Sequence, residues 1–565
     1  MHLKITTSGG RRYVQLVESF RDENGKVKKR TVATLGRAEE LAGGVDSVIS
    51  GLLKLSGRAP LATPAEPPAV SFESARALGD AWTLTELWKS LGFAELKRVF
   101  RRTRHAIDVE ALIRVMVFNR LCDPDSKLGV LRWLETVALP EIEVTTITHQ
   151  HLLRSMDALI DQHEAVDRVV TALLRPMIDQ DLSVVFYDLT TIRAEGLSTQ
   201  ANDVRAFGMS KEGVIARQFM LGVVQTAEGL PIYHEVFAGN TAETRTLLPT
   251  IKTVLTRFPS VKRLILVADR GLLSLDNLDA LDELRNACDR TLEFILAVPG
   301  RRYHEFVDLL DEFHRTQCQA AAEVIGEKRW NGLRLVIAHD PVRAALQTQQ
   351  RDQKIEALLQ RADQHSEKLD AQDEGVKHRG RKLSDNGAKA RLFHEVSEAH
   401  LSKIIKVDLK SELFTYDIDQ QARQLANMMD GKLLLVTNAP DLTASDVVSR
   451  YKSLADIERG FKVLKSEIQI GPVYHRLPER IRAHAAICFM ALILYRVMRQ
   501  RLKVAQTGLS PERALEYLRR IQHHQVRLND SQTVTGVSTM SAEQTGILNA
   551  LAVKNPAVPQ QLALL

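Results

Sequence analysis

Two short apolar runs, at residues 184–187 and 264–268, constrain the fold of this chain most, and each is followed directly by an aspartate. Continuous apolar runs of four or five residues are typical of strands that are buried on both faces of a sheet. Strand patterns also occur at residues 216–226, 230–238 and 292–298, and helical patterns lie between and after them. The sequence therefore predicts an α/β fold built on a mixed sheet.

The length and composition are typical of a soluble protein with several domains. A chain of 565 residues is longer than one ordinary domain, and 26% of its residues are charged. The most apolar stretch, at residues 485–495, is shorter than the roughly 20 residues that cross a membrane, so it predicts a buried helix. The N-terminus shows no signal peptide, and we expect no membrane partner.

The charge and the cysteines exclude some classes of function and leave others open. The formal net charge is only +6, which is compatible with nucleic-acid partners and with small molecules. The four cysteines lie far apart without a C-x-x-C pair, which disfavours a zinc ribbon and a disulfide scaffold. A reducing cytoplasm is therefore the expected location.

Changes of pattern along the chain predict seven regions. A hairpin signal at Asn24-Gly25 lies in a small β unit, and four prolines between residues 60 and 68 indicate a linker. The core pattern is interrupted after residue 300 and returns as a strand at residues 432–437. The predicted regions are an N-terminal β unit plus helix (1–58), a linker (59–70), a helical region (71–180), the first part of the core (181–300), an insertion domain (301–430), the second part of the core (431–503), and a C-terminal helical region with a tail (504–565).

The helical region at residues 71–180 leaves two interpretations open. Its apolar residues repeat with helical spacing, and residues 97–104 are strongly basic. Such a module suits docking on DNA, and it equally suits a helical bundle with a solvated basic face, since no helix-turn-helix signature stands out.

The two aspartates that follow the apolar runs are candidates for metal chemistry. Each of Asp188 and Asp269, taken alone, is also compatible with a turn residue or a helix cap. Side chains at the carboxyl ends of neighbouring strands converge on one edge of a sheet, so two aspartates there can share a divalent ion. Their occurrence in one domain keeps both interpretations open.

A third carboxylate lies on a predicted helix at about residues 445–468. Tyr451, Leu454, Glu458, Lys462 and Lys465 have the spacing of one stripe on a straight α-helix, beside an apolar stripe that would pack on the sheet. A carboxylate flanked by cations suits a metal ligand next to bound phosphates. The same spacing suits an ordinary amphipathic helix, whose Glu–Lys pair contributes about 0.2–0.5 kcal/mol. With Asp188 and Asp269, Glu458 would complete a set of oxygen ligands that Mg²⁺ prefers.

Several sequence blocks resemble those of a known family. Residues 187–191, residues 267–271 and the pattern Tyr451-x₆-Glu458-x₃-Lys462-x₂-Lys465 resemble the catalytic blocks of bacterial DDE transposases. Within the insertion-sequence-4-type assemblage, they are similar to the insertion-sequence-1634 group. Supporting similarities occur at residues 208–211, 237–244 and 474–484.

The resemblance implies a ribonuclease H-like core, interrupted by an insertion domain, and a specific site. Asp188, Asp269 and Glu458 match the catalytic and metal-binding triad, which holds two Mg²⁺ ions and accepts Mn²⁺ as a substitute. The family signature of tyrosine, arginine, glutamate and lysine matches Tyr451, Glu458 and Lys465, whereas Leu454 stands at the arginine position. Tyr451, Lys465, Arg459 and Lys462 are then the expected DNA-binding residues, and one of the last two would replace the missing arginine.

The activity implied is that of the transposase of an insertion sequence. Such an enzyme binds the terminal inverted repeats of its own element as a homodimer, cuts the double-stranded DNA and joins the freed ends to target DNA. The implied location is the bacterial cytoplasm, at the nucleoid. Two alternatives are a DNA-binding protein that retains this scaffold without transposition and a metal-dependent nuclease without joining activity.

Overall fold

The computed structural model describes residues 1–42, 44–58, 70–101, 107–178, 182–196, 200, 203–210, 213–269, 275–286, 291–317, 321–375, 382–528 and 532–556. The chain forms two compact units. The small unit comprises Met1–Glu73 with Gln525–Val534, and the large unit comprises Ser74–His524 with Thr535–Leu565.

The small unit begins with an antiparallel three-stranded meander. Asn24 and Gly25 form the tight turn before the third strand, where the Asp22 carboxylate accepts hydrogen bonds from the backbone N–H groups of Asn24 and Lys26. Gly25 has φ +74°, a conformation that favours glycine. The elements are β1 (His2–Ser8), β2 (Arg11–Arg21), β3 (Val27–Arg37), α1 (Ala38–Ala42) and α2 (Val45–Leu55).

A helical segment opens the large unit. Asp108, Ser126 and Thr148 cap three of its helices, each accepting a hydrogen bond from a backbone N–H three residues on. Strand β4 (Val70–Ala77) begins in the small unit and ends in the large one. The helices that follow are α3 (Gly79–Leu91), α4 (Leu96–Phe100), α5 (Val109–Cys122), α6 (Lys127–Thr136), α7 (His149–Asp161) and α8 (His163–Leu174), with short 3₁₀ turns at Phe93–Glu95 and Arg175–Met177.

The centre of the large unit is a mixed sheet. Its first strands are long and apolar, and helices cover them, as the sequence predicts. The elements in chain order are β5 (Leu182–Arg193), β6 (Ala206–Met209), β7 (Ile215–Thr226), β8 (Pro231–Ala238), α9 (Leu247–Arg257), β9 (Arg263–Ala268), α10 (Leu275–Asn286) and β10 (Thr291–Ala297), with short 3₁₀ helices at Glu243–Arg245 and Gly300–Phe306.

The next segment adds two strands to this sheet, continues through elements outside the sheet, and ends with a last sheet strand. Its elements are α11 (Val307–Gln317), β11 (Val324–Trp330), β12 (Leu333–His339), α12 (Pro341–Asp373), α13 (Asp385–Glu398), β13 (Ile405–Val407), β14 (Tyr416–Ile418), α14 (Gln420–Met429) and β15 (Lys432–Thr437). The sheet order is β11-β12-β15-β10-β9-β5-β7-β6, and β8 also pairs with β7. Strand β9 runs parallel to β5 and β10, and the other pairs are antiparallel.

The structure divides the predicted insertion at residues 301–430. Strands β11 and β12 extend the main sheet, because β12 pairs along its whole length with β15. Residues between α12 and β14 instead form a separate hydrophobic cluster that includes Ile355, Leu392 and Phe414. Only this later part has a core of its own.

The C-terminal part of the chain contains a long buried helix. Its elements are α15 (Ala444–Lys452), α16 (Ala455–Lys462), a π-helical segment (Val463–Glu467), α17 (Pro478–Val504), α18 (Pro511–Arg519), β16 (Gln522–Leu528), β17 (Gln532–Val537) and α19 (Ala542–Ala550). The long buried helix is α17, which packs mainly against α5, α7 and β8. Strands β17, β16 and β4 form a three-stranded sheet in that order, where the sequence predicted helix for the region after residue 504.

Among the described helices, α17 is long and apolar enough to cross a membrane, but 83% of its most apolar window is buried inside the protein. It is a core helix, as the apolar run at residues 485–495 predicts.

Candidate active site

The register of two parallel strands places Asp188 and Asp269 side by side. Strands β5 and β9 pair from Leu182 with Arg263 to Tyr187 with Ala268, and the two aspartates are the next residue on each strand. Neighbouring strands lie about 4.8 Å apart, so the two backbones are close. The sequence expectation that these carboxylates lie at one edge of the parallel pair agrees with this placement.

Asp188 differs from the expectation in one respect, because it does not end its strand. Strand β5 continues to Arg193, and Asp188 pairs with Val223 of β7. On its other side the parallel partner β9 has ended at Ala268. The strand persists because β7 still satisfies its backbone. The Asp188 side chain is buried, and its Oδ1 accepts a hydrogen bond of 2.7 Å from the N–H of Leu189.

Asp269 is half-buried and held by a tyrosine from a distant part of the sequence. The hydroxyl of Tyr451, near the end of α15, donates a hydrogen bond of 3.0 Å to Oδ1 of Asp269. Helix α15 packs on β9 and β10, which brings the tyrosine to this edge. The sequence predicts Tyr451 as a DNA contact, and the structure adds a direct hydrogen bond from its hydroxyl to the second aspartate.

Glu458 lies on a helix that packs against β5, the strand that carries Asp188. Its backbone is in α16, and α16 contacts β5. The Glu458 side chain lies outside the described part of the structure. The geometry therefore brings together the two aspartates and the helix of the glutamate, at the level of secondary structure.

The predicted single helix at about residues 445–468 is wrong. The helix breaks after Lys452, where the Ser453 hydroxyl donates to the carbonyl of Ser449 and the N–H of Leu454 turns to the carbonyl of Tyr451. Such back-bonding bends helices. A π-helical turn then widens residues 463–467. Tyr451 and Lys465 therefore do not lie on one straight stripe with Glu458.

The predicted DNA-binding cations keep accessible positions around this helix. Arg459 and Lys462 are exposed, and Lys465 is half-buried in the π-helical turn. Leu454, at the position where the signature has arginine, is buried and packs in the core. It contributes to the fold here and not to a ligand contact.

Three residues that sequence reasoning missed seat the glutamate helix. A methyl group at Gly460 would lie 2.6 Å from Nε2 of Gln225 and 2.9 Å from Nη2 of Arg496. Gln225 on β7 and Arg496 on α17 are both buried. A side chain at position 460 would therefore require the ends of Gln225 and Arg496, or the helix itself, to move. The signal was a glycine inside an amphipathic helix, which often marks close packing.

The basic stretch at residues 97–104 is partly described. Lys97 forms an ion pair with Asp108 at 3.4 Å, and Arg98 pairs with Glu95 at 2.7 Å. Arg102 and Arg104 lie outside the described residues. Of the three described cations of this stretch, Lys97 and Arg98 are thus paired within the protein, and Arg101 is exposed.

The donor set of this edge fits a hard cation. Among the described side chains, no group of three or more His, Cys, Asp or Glu residues is arranged to hold a metal ion, and the carboxyl of Glu458 is not among them. The two neighbouring aspartates supply oxygen ligands, which Mg²⁺ prefers and which need no His or Cys.

Two family models match the chain. The model for the N-terminal domain of IS1634 family transposases matches residues 3–66, and the model for the transposase DDE domain matches residues 179–494, more than half of the chain. No curated protein matches it. Among solved structures, a cryo-EM structure of the piggyBac transposase synaptic complex with hairpin DNA is similar, with a TM-score of 0.37 and 8% identity over 77% of this chain and 76% of that chain.

Proposed function

The chain belongs to the IS1634 family of insertion-sequence DDE transposases, which cleave and transfer DNA, and we propose that Asp188, Asp269 and Glu458 are the three acids that carry this chemistry. The observation that carries the proposal is the parallel register of β5 and β9, which makes the two aspartates neighbours. The packing of α16 on β5 supports Glu458 as the third acid.

We propose a ribonuclease H-like core for the centre of the large unit. The arrangement that supports it is three antiparallel strands, β8, β7 and β5, followed by the parallel strands β9 and β10. The first acid lies on the central strand of this set and the second follows its parallel neighbour. Residues 341–430, with their own hydrophobic cluster, are the proposed insertion domain.

Transposase DDE domains use divalent metal ions, and the proposed ions here are two Mg²⁺, with Mn²⁺ as a substitute. When bound, such a pair activates a water or a 3′-hydroxyl and stabilises the leaving oxygen of an in-line displacement. The three acids would hold the ions. The Tyr451 hydroxyl orients one oxygen of Asp269 and leaves the other oxygen for coordination.

The proposed substrates are the inverted-repeat ends of the chain's own element and a double-stranded target. Arg459 and Lys462 lie on the glutamate helix, Lys465 lies in the π-helical turn after it, and the three supply positive charge for backbone phosphates. We propose that two copies pair two ends as a homodimer, that the helical region at residues 71–180 contributes to DNA binding, and that the enzyme works in the cytoplasm at the nucleoid.

The test compares Asp188→Asn, Asp269→Asn and Glu458→Gln with wild type on a duplex that carries one end of the element. We expect each variant to lose Mg²⁺-dependent strand cleavage and to bind the duplex with near wild-type affinity when divalent ions are absent. Glu467→Gln, which alters an exposed carboxylate on the adjacent helical turn, serves as the matched control and should cut normally. Normal cutting by any of the three acid variants removes that residue from the site.

A second arm separates a transposase from a simple nuclease. Pre-cut ends with free 3′-hydroxyls are incubated with supercoiled target DNA and Mg²⁺. Joined products are expected from wild type, because transesterification uses the same acids as hydrolysis. Cleavage of uncut ends without any joined product would show a hydrolase only.

A further inference from the structure

A cavity of about 390 Å³ lies between helix α12 and the start of strand β15. One wall is a single face of α12, whose contributing residues are three or four positions apart. The opposite wall is the turn that leads from α14 into β15, together with the 3₁₀ helix after β10. The lining residues that matter below are Arg343, Gln347, Arg351, Lys354, Asp430 and Lys432.

The single carboxylate of the cavity is already neutralised. Oδ1 of Asp430 accepts a hydrogen bond of 2.8 Å from Arg351, and its Oδ2 accepts one of 2.6 Å from the hydroxyl of Thr348. Arg351 therefore balances Asp430. The remaining cations of the lining give the cavity an excess of positive charge.

Two of those cations are exposed and available. Arg343 and Lys354 are exposed, and neither has an ion-pair partner among the described residues. Gln347 uses its Oε1 to accept a 2.7 Å hydrogen bond from the N–H of Gly431, so its amide N–H₂ is the group left to donate. The cavity thus offers donors and positive charge on its α12 wall.

The third basic residue, Lys432, lies at the inner end of the cavity beside two imidazoles. Its ammonium lies 3.3 Å from Nδ1 of His314 and 3.2 Å from Nδ1 of His339. Burial, followed by the positive charge of Lys432, lowers the pKa of both histidines, so they accept hydrogen bonds and add no charge. The inner end of the cavity is therefore cationic as well.

The cavity opens at the same edge of the sheet as the two aspartates. Leu296 of β10 pairs with Ala268 on one side and with Val436 on the other, so Asp269 lies at the level of Leu435. Lys432 is three residues farther out and two strands across. At about 3.3 Å per residue and 4.8 Å per strand, the two positions are about 14 Å apart.

We propose that this cavity binds a backbone phosphate of the DNA about four base pairs from the bond that is cut. A rise of about 3.4 Å per base pair spans the 14 Å between the sites. The inference rests on the proposed function for the location of the cut bond. Phosphodiester oxygens match the free donors, and lysine and arginine are the usual phosphate contacts.

The experiment measures binding of the full chain to an end-bearing duplex without divalent ions, so that no cleavage occurs. A set of duplexes, each with one backbone phosphate replaced by a neutral methylphosphonate, is titrated with wild type and with the double variant Arg343→Ala/Lys354→Ala. For wild type, we expect that neutralising the phosphate about four base pairs from the cut lowers the affinity. For the double variant, neutralising the same phosphate should not lower the affinity below that for the unmodified duplex. The slope of log K against log salt should also become shallower by about 0.9 in the double variant, as expected for the loss of one phosphate contact.

Lys368→Ala is the matched control, since Lys368 is exposed on α12 outside the cavity. It should leave the affinity and the salt slope unchanged. Additive losses from the double variant and the neutral phosphate would overturn the proposal, because the two changes would then act at different places. Displacement of DNA from wild type by millimolar inorganic phosphate, with an unchanged salt slope in the double variant, would assign the cavity to a free anion instead.

Failure of this inference is distinguishable from failure of the proposed function. Binding is measured without cutting, so a chain that never cleaves can still show the coupling. Conversely, wild type could cleave normally while no methylphosphonate position shows coupling to the double variant. That result would reject the cavity as a phosphate site and leave the assignment of the three acids unchanged.

Discussion

At the scale of single residues, the contact between Tyr451 and Asp269 is the most informative bond in the structure. It joins residues 182 positions apart, at 3.0 Å, where the proposed metal ligands meet. A hydrogen bond to a charged group contributes about 1.5–3 kcal/mol, enough to fix the orientation of a carboxylate. Tyr451 is thus a positioning residue for the second aspartate.

Tyr451→Phe is expected to reduce the rate of cleavage at saturating DNA and Mg²⁺ about tenfold, because the carboxylate loses its orienting partner. Affinity for the end-bearing duplex should stay within about twofold of wild type, because the hydroxyl that is removed bonds to Asp269. Single-turnover cleavage and a binding titration measure the two effects. Tyr474→Phe, at a tyrosine that is 71% exposed, is the control. A loss of affinity with an unchanged rate would return Tyr451 to the role of a DNA contact.

Lys127 carries an electrostatic cost that can be measured. It is buried at the start of α6, and burial, with the positive charge of Arg120, lowers its pKa to about 7. In the unfolded chain the pKa of this lysine is about 10.5. Burial of the charged form therefore lowers the free energy of unfolding by its full amount below about pH 7, and this loss fades as the pH rises towards about 10.5. Burial of the same neighbourhood lowers the pKa of His475 to about 3 and of His484 well below its usual value, so neither adds charge.

Lys127→Met is therefore expected to stabilise the protein by about 1–4 kcal/mol at pH 6.5. The gain should shrink between pH 7 and pH 10, because wild type sheds the charge over that range. Thermal melting followed by circular dichroism at several pH values measures both trends. Lys368→Met, at an exposed lysine, should show neither. A lower melting midpoint for Lys127→Met at pH 6.5 would mean that the buried ammonium has a stabilising partner.

The sequence located the two aspartates because a buried strand leaves a clear apolar run before each. It did not locate the bond from Tyr451, since that bond depends on how α15 docks on β9 and β10. The same holds for Gln225 and Arg496, which are polar residues inside apolar elements and give no periodic signal. Local patterns predict which residues end at a sheet edge, whereas tertiary packing decides which of them touch.

At the scale of elements, the glutamate helix shows where periodicity misleads. The apolar stripe continues through residues 445–468, so the pattern predicts one helix. The helix ends at Lys452, where the N–H of Leu454 bonds to the carbonyl of Tyr451, and hydrophobic periodicity is insensitive to such a local change. The break separates the helix of Tyr451, which packs on β9 and β10, from the helix of Glu458, which packs on β5.

Gly460→Ala tests how tightly α16 must be seated. The new methyl group would lie 2.6 Å from the Gln225 amide and 2.9 Å from the Arg496 guanidinium, and because both side chains are buried we expect part of the adjustment to fall on the helix. Because active-site geometry tolerates little displacement, cleavage should fall about tenfold or more while DNA binding persists. Gln225→Ala in the same chain removes the nearest obstacle and is expected to restore much of the rate. No rescue, together with a normal melting midpoint, would show that the helix is placed by other contacts.

At the scale of the whole molecule, the sequence predicted the α/β class and the strands of the central sheet, and the mixed sheet agrees with it. It did not predict that β11 and β12 join that sheet, because the pairing of β12 with β15 spans about a hundred residues that local patterns cannot connect. Strands β16 and β17 were missed because they are mostly polar, with few apolar residues to show alternation.

The N-terminal residues contribute little to the main core, which makes their removal a test of independence. The large hydrophobic cluster draws its buried residues from Leu78 to Val553, and within residues 1–58 the only described hydrophobic side chain that is buried is Val17. Deleting residues 1–58 should therefore shift the melting midpoint of the main transition by less than about 2 °C, because little buried apolar area is lost. Circular dichroism melts of the full and shortened chains measure this. Leu84→Ala, which opens the core, is the positive control and should lower the midpoint by several degrees, for a cost of about 2–5 kcal/mol. A comparable loss in the shortened chain would show that the first 58 residues and the main core unfold as one.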